Sequence, residues 1–397
     1  MVKQFWRRRV ALGAALVCCP LLGQLWGQRL LSQQPAIAFP LDLVNCHVEF
    51  VDDACLGYDA QFGQDRAALL QAIDHSLDYL ATDAAAMAYE AYPLVGVTRG
   101  RVQQSLVRFR QLVATSHSAQ QLQESVAQEF DFYRSVGTDG AGHVDFTGYF
   151  EPTYSASAVP TAEYRYPLYR RPAELDTWPM PHPTRTELEG ADGLQAGQGP
   201  LADLELVWLR DRLEAFLVQV QGSARLQLTD GSVMSVGYAG RTEYPYTSIG
   251  RALIEDGIVA ESELSLPVLL DYFEQNPGAL DRYLPRNDRF VFFKATGGAP
   301  PIGNLNVPVT AGRSIATDKT LMPPGALALI SLDLPMPTTA GNWQSRPVNR
   351  FVLDQDTGGA IKGPGRVDIF VGTGEVAGQQ AGLINTSGQL YYLLLRQ

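Results

Sequence analysis

Histidine and cysteine are scarce in this sequence, with five and four residues among 397. No HExxH, CxxC or P-loop pattern occurs, so the commonest zinc and phosphate signatures are absent. No serine lies in a GxSxG pattern and no histidine follows His182, which leaves a Ser-His-Asp triad without support. We therefore expect no metal and no cofactor.

Basic residues are also in short supply, with 31 Lys and Arg against 42 Asp and Glu, a net charge of −11. A nucleic-acid-binding protein usually carries a basic face, so we expect no nucleic-acid partner. The contents of 46% hydrophobic and 18% charged residues exclude a wholly disordered chain. Glycine and proline, at 37 and 25 residues, are in excess and favour a body rich in turns and β-strands. The length predicts about two to three domains.

The N-terminus has three consecutive arginines at positions 7–9, followed by mostly apolar residues up to about Trp26. This pattern is typical of a secretory signal or an N-terminal anchor, which we assign to residues 1–27. Residues 28–45 have no clear period and are expected to form a tether. The chain is thus expected to be exported to the periplasm or cell envelope, either free or attached to the membrane through its N-terminus.

The four cysteines fall into two pairs. Cys18 and Cys19 raise the alternative of a lipid anchor, but the residue before a lipidated cysteine is normally small, whereas Val17 or Cys18 stands there. A lipid anchor, a cleaved signal and an uncleaved anchor all remain open. Cys46 and Cys55, in an exported chain, are a candidate disulfide, and the alternative is two unrelated thiols.

Apolar periodicity predicts that the N-terminal third is helical and the remainder mainly β. Helices are expected over residues 66–80, 102–113, 118–133, 204–220, 248–256 and 266–274. An Asp230-Gly231 turn predicts a hairpin within residues 223–240. Strands are expected over residues 143–152, 290–293, 326–332, 350–353, 367–371 and 390–395, with almost no helix after Arg289. The predicted fold class is α+β, mainly β, with β-barrels or sandwiches.

Asp368 is the most unusual acidic residue, because it lies inside an apolar strand between Val367 and Ile369. Strand alternation puts Asp368 and Phe370 on one face, opposite Val367 and Ile369. A carboxyl group on a strand beside a glycine-rich loop can be partly desolvated, which raises its pKa and suits it to proton transfer.

Asp356 begins the glycine-rich run that contains Gly358 and Gly359, and Asp318 precedes a Pro-Pro turn. The two glycines allow a sharp turn or a close approach of backbone to a ligand. An aspartate in such a run often only bonds its own backbone, so a plain turn is the alternative for Asp356. Three aspartates could also bind a divalent cation, which the nearby Lys362 disfavours.

A series of ordered blocks carries a family resemblance over about residues 146–395. The blocks are residues 146–152, 166–170, 220–223, 230–232, 238–240, 246–250, 287–294 and 318–325, together with the segments around Asp356 and Asp368. In these blocks the chain resembles the membrane-bound lytic transglycosylase A (MltA) family. Its C-terminal part resembles the 3D domain, whose three aspartates correspond to Asp318, Asp356 and Asp368.

The resemblance implies two β-rich lobes separated by a long groove. We also expect the protein to be a monomer. One lobe is a double-psi β-barrel with N-terminal helices, built here from residues 46–152 and from the C-terminal 3D part, residues 299–397. The other is a barrel-like β domain inserted between them, residues 153–298.

The resemblance also implies a lyase that cleaves the MurNAc–GlcNAc β-1,4 bond of peptidoglycan glycan strands and leaves a 1,6-anhydromuramoyl end. Asp368 corresponds to the single catalytic acid and base of the family. Supporting roles are expected for Asp356, Asp318, Gly358 and Gly359. The resemblance places sugar-binding candidates along the groove: Tyr149, Gln221, Ser223, Tyr238, Tyr246 and Lys362. Cleavage from chain ends, as in an exotransglycosylase, and cleavage within strands both remain open.

Two alternatives come from other functional classes. A protein with the same groove could bind peptidoglycan as a scaffold without cleaving it, since fold does not decide function. A hydrolytic muramidase would need a second carboxylate and a poised water. Glu151 or Asp356 could supply that carboxylate.

Overall fold

The computed structural model describes residues 39–44, 58–90, 92–261, 263–339 and 341–397. The predicted signal or anchor and both members of the Cys46–Cys55 pair lie outside these residues. The end of the predicted tether, Leu41–Val44, forms a strand that pairs with a later one. Within the described residues, no helix is both long and apolar enough to cross a membrane.

In the described residues four helices follow one another in the N-terminal part, as predicted, and strands mixed with further helices come after them. The helices are α1 (Phe62–Leu80), α2 (Asp83–Glu90), α3 (Arg99–Thr115), α4 (Ala119–Glu129), α5 (Arg185–Glu189), α6 (Arg212–Gln221), α7 (Ile249–Glu255), α8 (Leu266–Gln275), α9 (Leu280–Tyr283) and α10 (Glu375–Leu383). The early strands are β1 (Leu41–Val44), β2 (Phe130–Ser135), β3 (Val144–Glu151), β4 (Thr153–Ser157), β5 (Tyr166–Tyr169), β6 (Glu205–Leu209), β7 (Ser223–Leu228) and β8 (Val233–Arg241). The later strands are β9 (Val291–Ala295), β10 (Ser314–Ala316), β11 (Leu327–Pro337), β12 (Trp343–Asp356), β13 (Arg366–Thr373) and β14 (Asn385–Leu395).

The helices predicted over residues 66–80 and 102–113 are confirmed as α1 and α3. Ser118 caps α4 as predicted, because its side chain accepts a hydrogen bond from the backbone N–H of Gln121. The helix ends at Glu129, however, and the next six residues form β2. Phe130 and Phe132 are both buried, a period of two that only a strand can present to the core.

The prediction of one helix over residues 204–220 was wrong. Residues 205–209 form β6, in which Val207 and Leu209 are buried alternately with more exposed neighbours. Asp211 then caps α6 by accepting from the backbone N–H groups of Leu213 and Glu214. Helix α10 was also not predicted, since its buried residues are only alanines, Ala377 and Ala381.

One lobe is a closed six-stranded barrel. Its strands follow the order β14-β11-β12-β10-β13-β3, and β3 pairs again with β14 to close the ring. The pairs β10–β12 and β13–β3 are parallel, whereas the other barrel pairs are antiparallel. Helices α1 and α3 share a buried apolar core with the barrel strands. The predicted combination of β-barrel and N-terminal helices is therefore confirmed.

The second lobe is a six-stranded sheet in the order β5-β6-β4-β7-β8-β9. A bridge between Arg170 and Phe293 links the two ends of that order, which gives the sheet a barrel-like curl. The predicted hairpin is present as β7–β8, and Asp230 stabilises its turn by accepting from the backbone N–H and the hydroxyl of Ser232.

Candidate active site

Asp368 lies on the outer face of the barrel. Val367 and Ile369, its neighbours in β13, are fully buried in the barrel core, so alternation turns the Asp368 carboxyl the other way. The residue is partly exposed. In the strand register it stands opposite Thr147 of β3 on one side and Ala316 of β10 on the other.

A short hydrogen-bonded chain holds the Asp368 carboxylate. The Thr147 hydroxyl donates to its Oδ1 over 2.6 Å, and the guanidinium of Arg366 donates to the same hydroxyl oxygen over 2.9 Å. Burial by surrounding atoms raises the pKa of Asp368 and the carboxylate of Asp356 raises it further, whereas Thr147 and Arg366 oppose the shift. The net effect favours the protonated form, which a general acid requires.

Asp356 is brought to the same region because Ala316 pairs with Asp356 in β12 as well as with Asp368 in β13. Its carboxylate is bound on both oxygens. The Tyr149 hydroxyl donates to Oδ2 over 2.8 Å, while Oδ1 accepts from the backbone N–H groups of Asn304 at 2.7 Å and Thr357 at 2.8 Å. Burial raises the pKa of Asp356, and these donors reduce the shift. The arrangement fixes the start of the glycine-rich loop.

The two glycines of that loop are sites of close approach. A Cβ added to Gly358 would lie 2.9 Å from Cγ1 of Ile361, within the loop itself. A Cβ added to Gly359 would lie 1.7 Å from Nη1 of Arg289, a residue of the second lobe. Only glycine at 359 therefore lets this guanidinium rest against the barrel lobe.

Asp318 supports the loop from the other side and is 5% exposed. Its Oδ2 accepts from the backbone N–H of Gly363 at 3.0 Å, and its Oδ1 accepts from the hydroxyl of Thr320 at 2.7 Å. Although burial acts to raise the pKa of Asp318, these hydrogen bonds leave it lowered. Lys362 lies 3.8 Å from Asp318 and is largely exposed. The ammonium group of Lys362 therefore faces the carboxylate of Asp318.

The sugar-binding candidates of the second lobe do not all lie together. Gln221 lies between the lobes, where its Oε1 accepts from the backbone N–H of Phe150 in β3 over 3.1 Å. Ser223 is buried at the start of β7. Tyr238 is 45% exposed, and it lies with Tyr246 near the guanidinium of Arg289.

Comparison with known proteins identifies the family of the chain. The model of the MltA specific insert domain matches residues 145–294, and the model of the 3D domain matches residues 313–394. Membrane-bound lytic murein transglycosylase A of Escherichia coli K12 is 33% identical over 266 residues, which cover 66% of this chain and 69% of the relative. The chain belongs to the membrane-bound lytic transglycosylase A family. The enzyme of the same name from Vibrio cholerae is 33% identical over 65% of this chain and 67% of the relative.

Solved structures of the family share the fold. A membrane-bound lytic murein transglycosylase from Agrobacterium tumefaciens aligns with a TM-score of 0.67 at 28% identity, covering 85% of this chain and 95% of that one. MltA of Escherichia coli with bound chitohexaose aligns with a TM-score of 0.66 at 27% identity, covering 90% and 95%. That family member therefore holds a neutral sugar oligomer.

Sequence reasoning missed Thr147 and Arg289 at this site. Thr147 lies two residues before Tyr149 in a block that the family shares, so the period of two could have placed both on the face of Asp368. Arg289 lies two residues before β9, and no local pattern signals its contact with Gly359, because that contact depends on how the two lobes meet.

Proposed function

We propose that the chain is a murein lytic transglycosylase that cleaves the MurNAc–GlcNAc β-1,4 bond of peptidoglycan and forms 1,6-anhydromuramoyl ends. Membership of the family and the names of its relatives support the reaction class. The observation that carries the assignment to this chain is the state of Asp368, a partly exposed carboxyl group whose surroundings raise its pKa.

A single carboxyl group suffices for this reaction. Asp368 donates its proton to the glycosidic oxygen as the C1–O bond breaks, and the GlcNAc hydroxyl leaves. The carboxylate then accepts the proton of the muramoyl C6 hydroxyl as O6 bonds to C1, which restores the acid. The nucleophile belongs to the substrate, so no second reactant has to be brought in and oriented.

The hydrolytic alternative is less well supported because the other carboxylates are engaged. Glu151 is 1% exposed, accepts from the Thr373 hydroxyl at 2.8 Å and faces Arg225 at 3.5 Å. Asp356 accepts three hydrogen bonds, which suits it to holding the loop. A hydrolase would need one of them free to activate water.

Mass spectrometry of the products released from isolated sacculi tests this proposal. The wild-type protein is expected to release muropeptides with 1,6-anhydro ends, and Asp368→Asn about 10²–10⁴-fold less. Asp356→Asn is the matched control, because it makes the same chemical change in the same cluster and should retain partial release. Reducing ends would indicate hydrolysis, and absence of any product would indicate a binding scaffold.

Location and assembly are proposed on less direct grounds. The basic and apolar N-terminal segment and the words "membrane-bound" in the relatives' names support a place in the cell envelope. Attachment through residues 1–27 and a monomeric state are expectations from sequence. Cell fractionation of the full-length protein, with and without those residues, tests the attachment.

A further inference from the structure

Two arginines of the second lobe converge on one carbonyl oxygen. Arg289 donates from Nε to the backbone oxygen of Tyr244 at 2.7 Å, and Arg241 approaches it from Nη1 at 3.5 Å. The carboxylate of Glu243 is 3.9 Å from Arg241 and is more than half exposed. Among the described residues Arg289 forms no ion pair. Two positive charges therefore lie together with little compensation.

Like charges held this close are unfavourable in the free protein. Burial lowers the pKa of Arg289, and the charge of Arg241 lowers it further. The whole chain is acidic, with a net charge of −11, so carboxylates are available elsewhere. Two cations that share only the exposed carboxylate of Glu243 are best explained by an anion that arrives with the substrate.

Arg289 also faces the proposed catalytic lobe. Nη1 of Arg289 occupies the space where a Cβ at Gly359 would stand, three residues after Asp356. Within the part of the chain that is described, neither Nη atom of Arg289 has a hydrogen-bond partner. A substrate strand bound along Asp368 and the glycine-rich loop would thus meet free guanidinium donors.

Arg241 adjoins a cavity of about 420 Å³ in the same lobe. Its wall combines Trp178, Met180 and Tyr238 with the carboxylates of Glu243 and Asp176, the latter paired with Arg171 at 2.6 Å. This volume falls within the usual range of small-ligand pockets, about 300–1,000 Å³. The cavity offers apolar and aromatic surface beside Arg241, so we expect it to hold the apolar part of a substituent whose carboxylate the arginines bind.

We propose that Arg241 and Arg289, with the adjoining cavity, bind a carboxylate-bearing substituent of the murein strand. The inference rests on the proposed function, because it names a further part of the same substrate. Guanidinium groups match carboxylates in shape and charge, whereas the hydroxyl and acetamido groups of a neutral sugar need no such pair. The carboxylate comes either from the lactyl ether of the muramoyl unit or from its stem peptide.

Binding to three ligands tests the proposal, with full-length protein carrying Asp368→Asn to prevent cleavage. Chitohexaose carries no carboxylate, glycan strands freed of peptides carry lactyl carboxylates, and strands with stem peptides carry peptide carboxylates. Arg241→Gln and Arg289→Gln are the test variants. Arg210→Gln is the matched control, since Arg210 is exposed and paired with Glu163 at 2.7 Å.

Each arginine variant is expected to lose about 10-fold or more in affinity for a carboxylate-bearing strand, the usual effect of losing a charged hydrogen bond. Its affinity for chitohexaose should change by less than about 2-fold, and Arg210→Gln should change neither. A loss of affinity for peptide-free strands identifies the lactyl group as the source of the bound carboxylate. A loss of affinity confined to stem-bearing strands identifies the peptide.

The proposal would be overturned if the arginine variants lost affinity equally for all three ligands, or lost none for either carboxylate-bearing ligand. Thermal melting of each variant separates a binding loss from unfolding. Failure of the proposed function would give a different result. The wild-type protein would then release no anhydro product from sacculi, whereas the arginine variants could still lose affinity for carboxylate-bearing strands alone. Two separate readouts therefore decide the two proposals.

Discussion

Thr147 and Asp368 stand opposite each other in the parallel pairing of β3 and β13, and the threonine hydroxyl donates to the carboxylate over 2.6 Å. The residues come from parts of the sequence that are 221 positions apart. Closure of the barrel is what brings them together. The contact stabilises the charged form of a carboxyl group whose burial favours the neutral form.

We predict that Thr147→Val shifts the alkaline limit of activity to higher pH. The hydroxyl lowers the pKa of Asp368, so its loss raises that pKa and keeps the acid protonated further up the pH scale. Initial rates of product release from sacculi across pH measure the shift. Thr115→Val is the control, because Thr115 is exposed and bonds only the backbone of its own helix. If the alkaline limit of activity in Thr147→Val stays in place or moves to lower pH, the role assigned to Thr147 is contradicted.

Asp368→Asn is predicted to lower activity by about 10²–10⁴-fold, the usual contribution of a general acid and base.

The same change should stabilise the fold at neutral pH. Because the folded-state pKa is raised, ionisation of Asp368 opposes folding above the unfolded pKa, about 3.9, and has no effect well below it.

Urea unfolding of Asp368→Asn and wild type checks the second expectation. The variant should have the higher free energy of unfolding at pH 7, and the difference should shrink as the pH falls below about 4. An equal or larger stabilisation at low pH would mean that charge is not its cause.

The sequence predicted many elements because their signals are local. The apolar stripe of α1, the serine cap of α4 and the Asp230 turn can each be recognised within a few residues. The alternation that turns Asp368 outward from the core is equally local. By contrast, the Leu204–Val220 stretch was interpreted as one helix, since its broad apolar face hid the switch from β6 to α6.

Closure of the barrel and the junction of the two lobes could not be predicted, because they depend on contacts between distant parts of the chain. Pairing of β3 with both β13 and β14 closes the barrel and has no signature in either strand alone. The contact of Arg289 with Gly359 depends on the junction of the two lobes. Site residues that act through such contacts become visible only in the folded structure.

Arg313 also makes contacts between distant parts of the chain. Its removal is predicted to destabilise the protein by about 3–5 kcal/mol. Its buried guanidinium binds the carboxylates of Asp59 and Asp65 and the backbone oxygen of Phe351, which ties the start of α1 to β12. Arg313→Met leaves two carboxylates without their partner. Urea denaturation measures the loss.

Arg110→Met is the matched control for Arg313→Met. Arg110 also pairs with an aspartate, Asp74 at 2.5 Å, but both side chains are about half exposed. Such a surface pair contributes little to stability, because solvent screens its charges. Losses of similar size in the two variants would show that burial of the Arg313 cluster contributes nothing to its strength.

Gly359→Ala is predicted to act through Arg289 and not through the fold. The new methyl group would lie where Nη1 of Arg289 now stands, and the end of a flexible side chain can move away at low cost. The free energy of unfolding should therefore change by less than about 1 kcal/mol. Affinity for carboxylate-bearing strands should fall as it does in Arg289→Gln, because the guanidinium is displaced.

A double-mutant cycle decides whether the two residues act together. In the Arg289→Gln background the shorter side chain vacates the space, so Gly359→Ala should cause little further loss of affinity. Gly100→Ala in α3 is the control, since a Cβ there meets nothing within 4 Å. Fully additive losses would mean that Gly359 serves the loop independently of Arg289, and that the contact between the lobes does not position the cation pair.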